Sequence, residues 1–296
     1  LIEKNIKEKK VLVTGAAGSI GNEICKIVIK FKPQQLYLLD ISETNLFYTE
    51  DFLKKIIQSH NLKIKIIPLL VSITDNKRID YIFETFKPDT VYHAAAYKHV
   101  NLVEKNIYSA LYNNFIGTIN LVASSIKFKT KNFVFVSTDK AVNPINVMGA
   151  SKRLCEIFIQ SISKLNHINL NFLDDDNKDL ENLTLFTIVR FGNVLGSSGS
   201  VVPIFKDQII KGGPITLTDK KVTRYFMNIE EAAELVIQAG ALTEKKNSGQ
   251  ICYLDMGEPI EIYKLAEMMI KYSGYTIKNS SNPLGDIEIK IIGLKE

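Results

Sequence analysis

Short apolar runs bounded by turn residues alternate with longer segments of helical period, and this rhythm constrains the fold more than any other feature of the chain. KKVLVT precedes a helical segment from Ile20 to Lys30, and QLYLLD precedes one from Glu43 to Gln58. KIKIIPLLV leads into Arg78 to Phe86, TVYHAA into Tyr108 to Ile126, and NFVFVS into Met148 to Leu165, and LFTIVRF closes the series. Strands apolar on both faces must be covered on both faces, so the alternation predicts a parallel sheet in a doubly wound α/β domain. From about Val201 the elements shorten, with turn signals at Gly212 to Pro214 and Asn247 to Gly249. A large domain over residues 1–200 and a smaller, interleaved lobe over 201–296 are therefore expected. Asn166 to Leu183 is polar and acidic and reads as an exposed loop, longer than most such connections.

The 296 residues are enough to bury a substantial core. Cys25, Cys155 and Cys252 lie far apart with no C-x-x-C pair, which argues against a disulfide framework, a zinc site or any other metal. The net charge of +5 comes from lysines interleaved with acids, a solvated surface and not a nucleic-acid footprint. No apolar run is long enough to span a bilayer, and the polar opening LIEKNIKEKK reads as the start of a piece cut from a longer polypeptide.

VLVTGAAGSIG puts Gly15, Gly18 and Gly21 after the first strand and at the opening of a helix. Glycines there allow a sharp turn, close approach of a pyrophosphate and tight helix packing, while the helix N-terminus attracts the phosphates. Asp40 closes the second strand, where an acid takes the adenosine ribose hydroxyls. The following Ile41 and Ser42 bring no cation to meet a 2′-phosphate, which favours NAD over NADP. Taken alone, Asp40 is equally explained as a helix-capping acid. His93 to Ala96 (HAAA) ends the fourth strand with side chains small enough for a cofactor to lie against the sheet.

Ser137, Thr138, Asp139 and Lys140 follow the apolar strand NFVFV, at the carboxyl end of a parallel strand, where ligands bind in such sheets. Met148 and Lys152 lie one helical turn apart and share a face. A packing methionine explains Met148 itself, and solvated polar side chains would explain any one of the strand-end residues.

TGAAGSIG, HAAAYKHV, STDKAVNP, NVMGASKR, RFGNVLGSSGSVVPIF and TRYFM together resemble the nucleotide-sugar 4,6-dehydratases of bacterial polysaccharide and glycan biosynthesis, within the extended short-chain dehydrogenase superfamily. The branch acting on UDP-N-acetylglucosamine is the most similar, in particular its long, membrane-anchored members, which have methionine at the Met148 position where tyrosine is usual. The resemblance implies a Rossmann domain that retains NAD and a redox-neutral reaction on UDP-N-acetylglucosamine. It places Ala17, Ser19, Ile20, Ser42, Ser72, Ile73, Ala94, Ala95, Ala96, Asn114 and Lys152 at the cofactor, beside the three glycines and Asp40. It places Thr138, Asp139, Lys140, Met148 and Lys152 at the chemical site. Lys98, Asn193, Val201, Val202, Pro203 and Arg224 fall to the nucleotide-sugar, the valines and proline as a wall for uracil and Arg224 as a bidentate grip on the diphosphate. A surface arginine paired with Glu230 or Glu231 is the plainer reading of Arg224. A homo-oligomer and a cytoplasmic domain of an inner-membrane protein are implied in the same way.

Since a methionine transfers no proton, Asp139 and Lys140 are the available acid and base. The expectation is that burial and the charge of Lys152 depress the Lys140 pKa, so that its neutral amine takes the C5 proton. Asp139 would serve the C4 and C6 oxygens, with Thr138 between. The family pattern is broken by Asn101, by Ser72 where an aspartate often meets adenine, by the Asn166 to Leu183 insertion and by the ending at GLKE. Rival readings are a UDP-sugar 4-epimerase, which needs the missing tyrosine, a dehydratase that inverts C5, and a non-catalytic NAD-binding regulator.

Overall fold

The computed structural model describes residues 1–169, 179–197 and 199–293. Seven parallel strands form the central sheet: β1 (Lys10–Thr14), β2 (Gln35–Asp40), β3 (Lys65–Leu70), β4 (Thr90–His93), β5 (Asn132–Val136), β6 (Leu185–Arg190) and β7 (Ile251–Tyr253). Their spatial order is β7-β6-β5-β4-β1-β2-β3. The order reverses beside β1, so the crevice outside the strand ends opens at β1 and β4, the place where such sheets bind ligands. The helices between them are α1 (Ser19–Lys30), α2 (Glu43–Ser59), α3 (Asn76–Phe86), α4 (Gly117–Lys127) and α5 (Val147–Ser163). The predicted helix from Tyr108 to Ile126 is one stack, in which a π-helical turn over Tyr112–Ile116 precedes α4.

The core follows from the apolar strands. Every residue of β4 and β5 is buried, and Leu12, Phe133, Phe135, Phe186 and Ile159 of α5 share one cluster. The third strand departs from the expectation of two buried faces, with each of its six residues exposed or half-buried. It is the sheet edge, which also explains how Pro68, lacking an N–H, is accommodated there.

Contacts divide the chain into two units, residues 1–191 with 230–254 and residues 192–229 with 255–296. The second unit begins at Gly192, where a boundary at residue 200 was expected. Most of helix α6 (Ile229–Leu242) and all of β7 return to the large unit, because α6 packs on the sheet and β7 extends it. Gly240 lies so close to Val134 that a methyl group on it would come within 2.6 Å of that side chain. The second unit has its own core, in which Phe205 and Ile209 of the helix Val201–Ile210 pack with Ile262, Ala266 and Ile270 of the helix Ile262–Tyr272. The expected loop from Asn166 to Leu183 is corrected at its ends, since His167–Asn169 and Asp179–Glu181 pair antiparallel. Residues 170–178 lie outside the described residues.

Candidate active site

The glycine loop is shaped by close approaches that tolerate no side chain. Gly15 adopts φ 67°, and a methyl group there would stand 2.7 Å from the Ala95 backbone. At Gly21 it would stand 2.0 Å from the Gly15 carbonyl oxygen, so α1 rests directly on the turn. Gly18 caps α1 without any side-chain hydrogen bond, and Ser19 and Ile20 form the first turn, whose amides point out of the helix end. Asp40 accepts from Ala17 N at 3.0 Å and from Ser42 N at 2.9 Å. The carboxylate therefore ties the glycine loop to the start of α2, a positioning task beyond the ribose contact assigned from sequence.

On the other side of the crevice, Ala94 to Ala96 are half-buried after β4, and Ala94 N continues the ladder to Thr14 O at 3.1 Å. Asn114, 2 % exposed in the π-helical turn, accepts from Tyr97 N at 2.8 Å and donates to Tyr97 O at 3.1 Å and to Ser151 Oγ at 3.0 Å. Its amide fixes the loop after β4 to α5. Ser72 bonds Thr74 Oγ1 at 2.8 Å, and the Ile73 carbonyl is taken by Asn120 at 3.0 Å while its side chain packs in the core.

Thr138, Asp139 and Lys140 form a tight turn after β5. Thr138 Oγ1 donates to Asp139 Oδ1 at 2.9 Å, and Lys140 Nζ donates to the same oxygen at 2.9 Å. The main chain of the turn is held by Ser137 N on Val189 O at 2.7 Å and Asp139 N on Phe191 O at 3.0 Å. One carboxylate oxygen thus accepts from both a hydroxyl and the lysine side chain. The Asp139 and Lys140 side chains are 19 % and 26 % exposed, open enough to meet a ligand.

The deep burial expected at Lys140 is found at Lys152. Lys152 Nζ donates to Val136 O at 2.8 Å and sits 4.4 Å from the centre of the Phe135 ring. Burial pushes its pKa down to about 8, against the opposing pull of Cys155 and Glu156. Met148 is 5 % exposed and packs with Val103 and Ala110, which makes it an apolar filler.

Sequence reading passed over two buried polar groups that brace this site. His93, ending β4, bonds Thr14 Oγ1 at 2.7 Å through Nδ1 and Thr118 Oγ1 at 2.9 Å through Nε2. The Thr118 hydroxyl gives its proton to Asn114 O at 2.6 Å, so His93 Nε2 must donate to Thr118 and Nδ1 must accept from Thr14. Burial, reinforced by the Lys152 charge, holds His93 well below the usual histidine pKa and neutral in that tautomer. Glu156, wholly buried one turn beyond Lys152, accepts from Ser137 Oγ at 2.6 Å, Arg190 Nε at 2.7 Å and Arg153 Nη1 at 3.0 Å. An acid on the same α5 face as Lys152, together with an arginine closing β6, was the available signal.

In the second unit Asn193 N bonds Tyr225 O at 3.1 Å, pairing Asn193–Val194 with Phe226–Met227. Val201, Val202 and Pro203 form the half-buried first turn of their helix. Arg224 is exposed and donates to Thr223 O at 2.8 Å. Lys98, in the large unit, is exposed and meets no hydrogen-bond partner among the described residues.

A seven-stranded parallel sheet with a glycine turn after β1, an acid closing β2 and a buried lysine on the helix after β5 defines an extended short-chain dehydrogenase/reductase fold. The family model "Polysaccharide biosynthesis protein" matches residues 11–296, and the chain belongs to that family. It is 46% identical over 274 residues to the capsular polysaccharide biosynthesis protein CapD of Staphylococcus aureus, covering 93% of this chain and 42% of that protein. The chain thus spans less than half the length of that relative. The structure of Pen from Bacillus thuringiensis superposes with a TM-score of 0.80 at 32% identity, covering 98% of this chain and 80% of that one. At 16% identity, a dTDP-glucose 4,6-dehydratase double mutant, DesIV from Streptomyces venezuelae, solved with NAD, shares the fold with a TM-score of 0.72 over 97% of this chain and 85% of that one.

Proposed function

We propose that the chain binds NAD and converts UDP-N-acetylglucosamine to a UDP-4-keto-6-deoxy-N-acetylhexosamine by 4,6-dehydration, with the configuration at C5 retained. The observation that carries this reading is the Asp139–Lys140 pair, 2.9 Å apart at the end of β5, beside a helix whose Met148 is packed in an apolar cluster. A 4-epimerase manages one proton, at the C4 hydroxyl. A dehydratase also moves protons at C5 and at the C6 oxygen, and a paired acid and base suit that larger task.

The residues fit the cofactor. Side-chain-free turns at Gly15, Gly18 and Gly21 leave backbone amides for a pyrophosphate, and Asp40 closes β2 beside them with no cation at Ile41 or Ser42. When bound, NAD would accept hydride from C4 and return it to C6. Lys152 would hold the nicotinamide ribose.

Asp139 takes the C4 hydroxyl proton through Thr138, and Lys140 takes the C5 proton once the ketone has acidified it. Lys140 starts ion-paired, so before the cycle it must release its own proton to solvent, which its partial exposure allows, and Asp139 stays free to hold the C4 proton until the C6 oxygen takes it. Two protons are collected, from the C4 oxygen and from C5. Two are given back, one to the departing C6 oxygen and one to C5 as the hydride reaches C6, so the sum of the steps is loss of one water. The uridine diphosphate is assigned to Asn193, Val201, Val202, Pro203 and Arg224, and Lys98 to the sugar side.

Lys140→Ala and Asp139→Asn should each lower kcat by at least ~10²-fold, in the range of a lost general acid or base, while NAD stays bound. Met148→Leu should leave kcat within a few-fold. Turnover of Lys140→Ala at the parent rate would overturn the assignment.

A further inference from the structure

The acid-base turn is gripped by α5 at both ends, and one grip depends on a missing side chain. Gly149 follows Met148 in the first turn of α5, and a methyl group on it would stand 2.3 Å from the Lys140 carbonyl oxygen and 3.1 Å from its carbonyl carbon. Those are main-chain atoms of the next element, so no side-chain rotation relieves the clash. The helix end beneath them is itself fixed, because Asn146 Oδ1 accepts from Gly149 N at 2.8 Å and Glu104 Oε1 accepts from Val147 N at 2.7 Å. Alanine is the better helix former, so glycine here serves the close approach and not the helix. At the other end, Ser137 Oγ donates to the buried Glu156, whose carboxylate is held by Arg190 from β6 and by Arg153.

We propose that Gly149, with the Ser137–Glu156–Arg190 cluster, forms a two-point seat on α5 that sets the position of the Asp139–Lys140 pair. The three side chains and the one bare Cα are positioning groups and touch no substrate. The helix that lacks a tyrosine in this chain keeps a part in the chemistry, since it carries the main chain of the residues that replaced it. This inference rests on the dehydratase reading for its kinetic consequence, and on the geometry alone for its structural one.

The test is made on the NAD-loaded chain with Gly149→Ala and Ser137→Ala, using two readouts. The first is independent of turnover: competitive acetylation by acetic anhydride, read by peptide mass spectrometry as the labelling of Lys140 relative to exposed Lys77. Gly149→Ala should raise that ratio at least ~3-fold as the ion pair loosens. The second is dehydration of UDP-N-acetylglucosamine, where a displacement of about 1 Å should lower kcat by ~10- to 100-fold with KM changed by less than ~3-fold. Ser137→Ala, which removes one hydroxyl and keeps the ion pairs, should lower kcat several-fold and settles the matter if Gly149→Ala does not fold. A glycine with only a structural role would lower the melting temperature and leave the labelling ratio and the kcat per folded site unchanged. That result would overturn the seat. A parent protein that turns over no UDP-hexose would instead refute the dehydratase reading, and the labelling readout would still decide the seat.

Discussion

At the scale of single residues, burial sorts the two lysines that look equivalent in the sequence. Lys140 remains partly exposed and paired with Asp139, whereas Lys152 is enclosed by α5 and β5 with a backbone carbonyl and an aromatic face as its company. A lysine whose pKa is about 8 folded and 10.5 unfolded disfavours the folded state while both forms are protonated. That penalty is complete below about pH 8 and is lifted as the pH rises from 8 to 10.5, because the unfolded chain then binds the extra proton. Lys152→Met removes the group. The unfolding free energy of the variant minus that of the parent should therefore fall by about 3 kcal/mol across that window, as followed by urea unfolding at each pH. A difference that stays flat would mean that Lys152 titrates alike in both states. Glu156 gives the opposite case, a buried carboxylate with two guanidinium partners. Glu156→Ala strands the largely buried Arg190, while the part-exposed Arg153 keeps its solvent, and should cost about 3 kcal/mol in the same measurement.

At the scale of elements, the same backbone device closes several helices. Lys32, Asn61, Lys87 and Lys129 have φ between 48° and 59°, and each lies one or two residues beyond a helix of the large unit. These are left-handed caps made without glycine, and the Cβ strain there is on the order of 1 kcal/mol. Lys87, whose N–H bonds Phe83 O, is the clearest. Lys87→Gly should raise stability by up to about 1 kcal/mol, seen as a higher urea midpoint with unchanged slope. The glycine turn behaves oppositely. Gly21→Ala would press a methyl group onto Gly15 O and should abolish NAD retention even where the protein folds, which is measurable by the NAD content of the purified variant.

For the whole molecule, the strands and helices were legible because a parallel sheet writes both buried faces into each strand, as in NFVFV, and because glycine spacing marks the first turn. Where neighbours decide the outcome, the sequence said less. β3 has an apolar sequence but sits at an edge, and residues 230–254 rejoin the sheet after an excursion that no local pattern announces. In the candidate site, Thr138, Asp139 and Lys140 were singled out by their place at a strand end, and Lys152 by sharing a helix face with Met148. His93 and Glu156 were missed because a lone histidine or acid near a strand or helix is uninformative until its buried partners are known. The expectation for Lys140 rested on burial and on the nearby Lys152, while the fold leaves its side chain partly exposed with an acid for a neighbour.

In the proposed reaction, proton transfer by Asp139 and Lys140 drives loss of water instead of inversion at C4. The most direct measurement is proton NMR of UDP-N-acetylglucosamine incubated with the NAD-loaded protein in deuterated water. The expected result is a 4-keto-6-deoxy product carrying solvent deuterium at C5 with its configuration kept. A C4-epimerised hexosamine that retains its C6 hydroxyl and its C5 proton would contradict it.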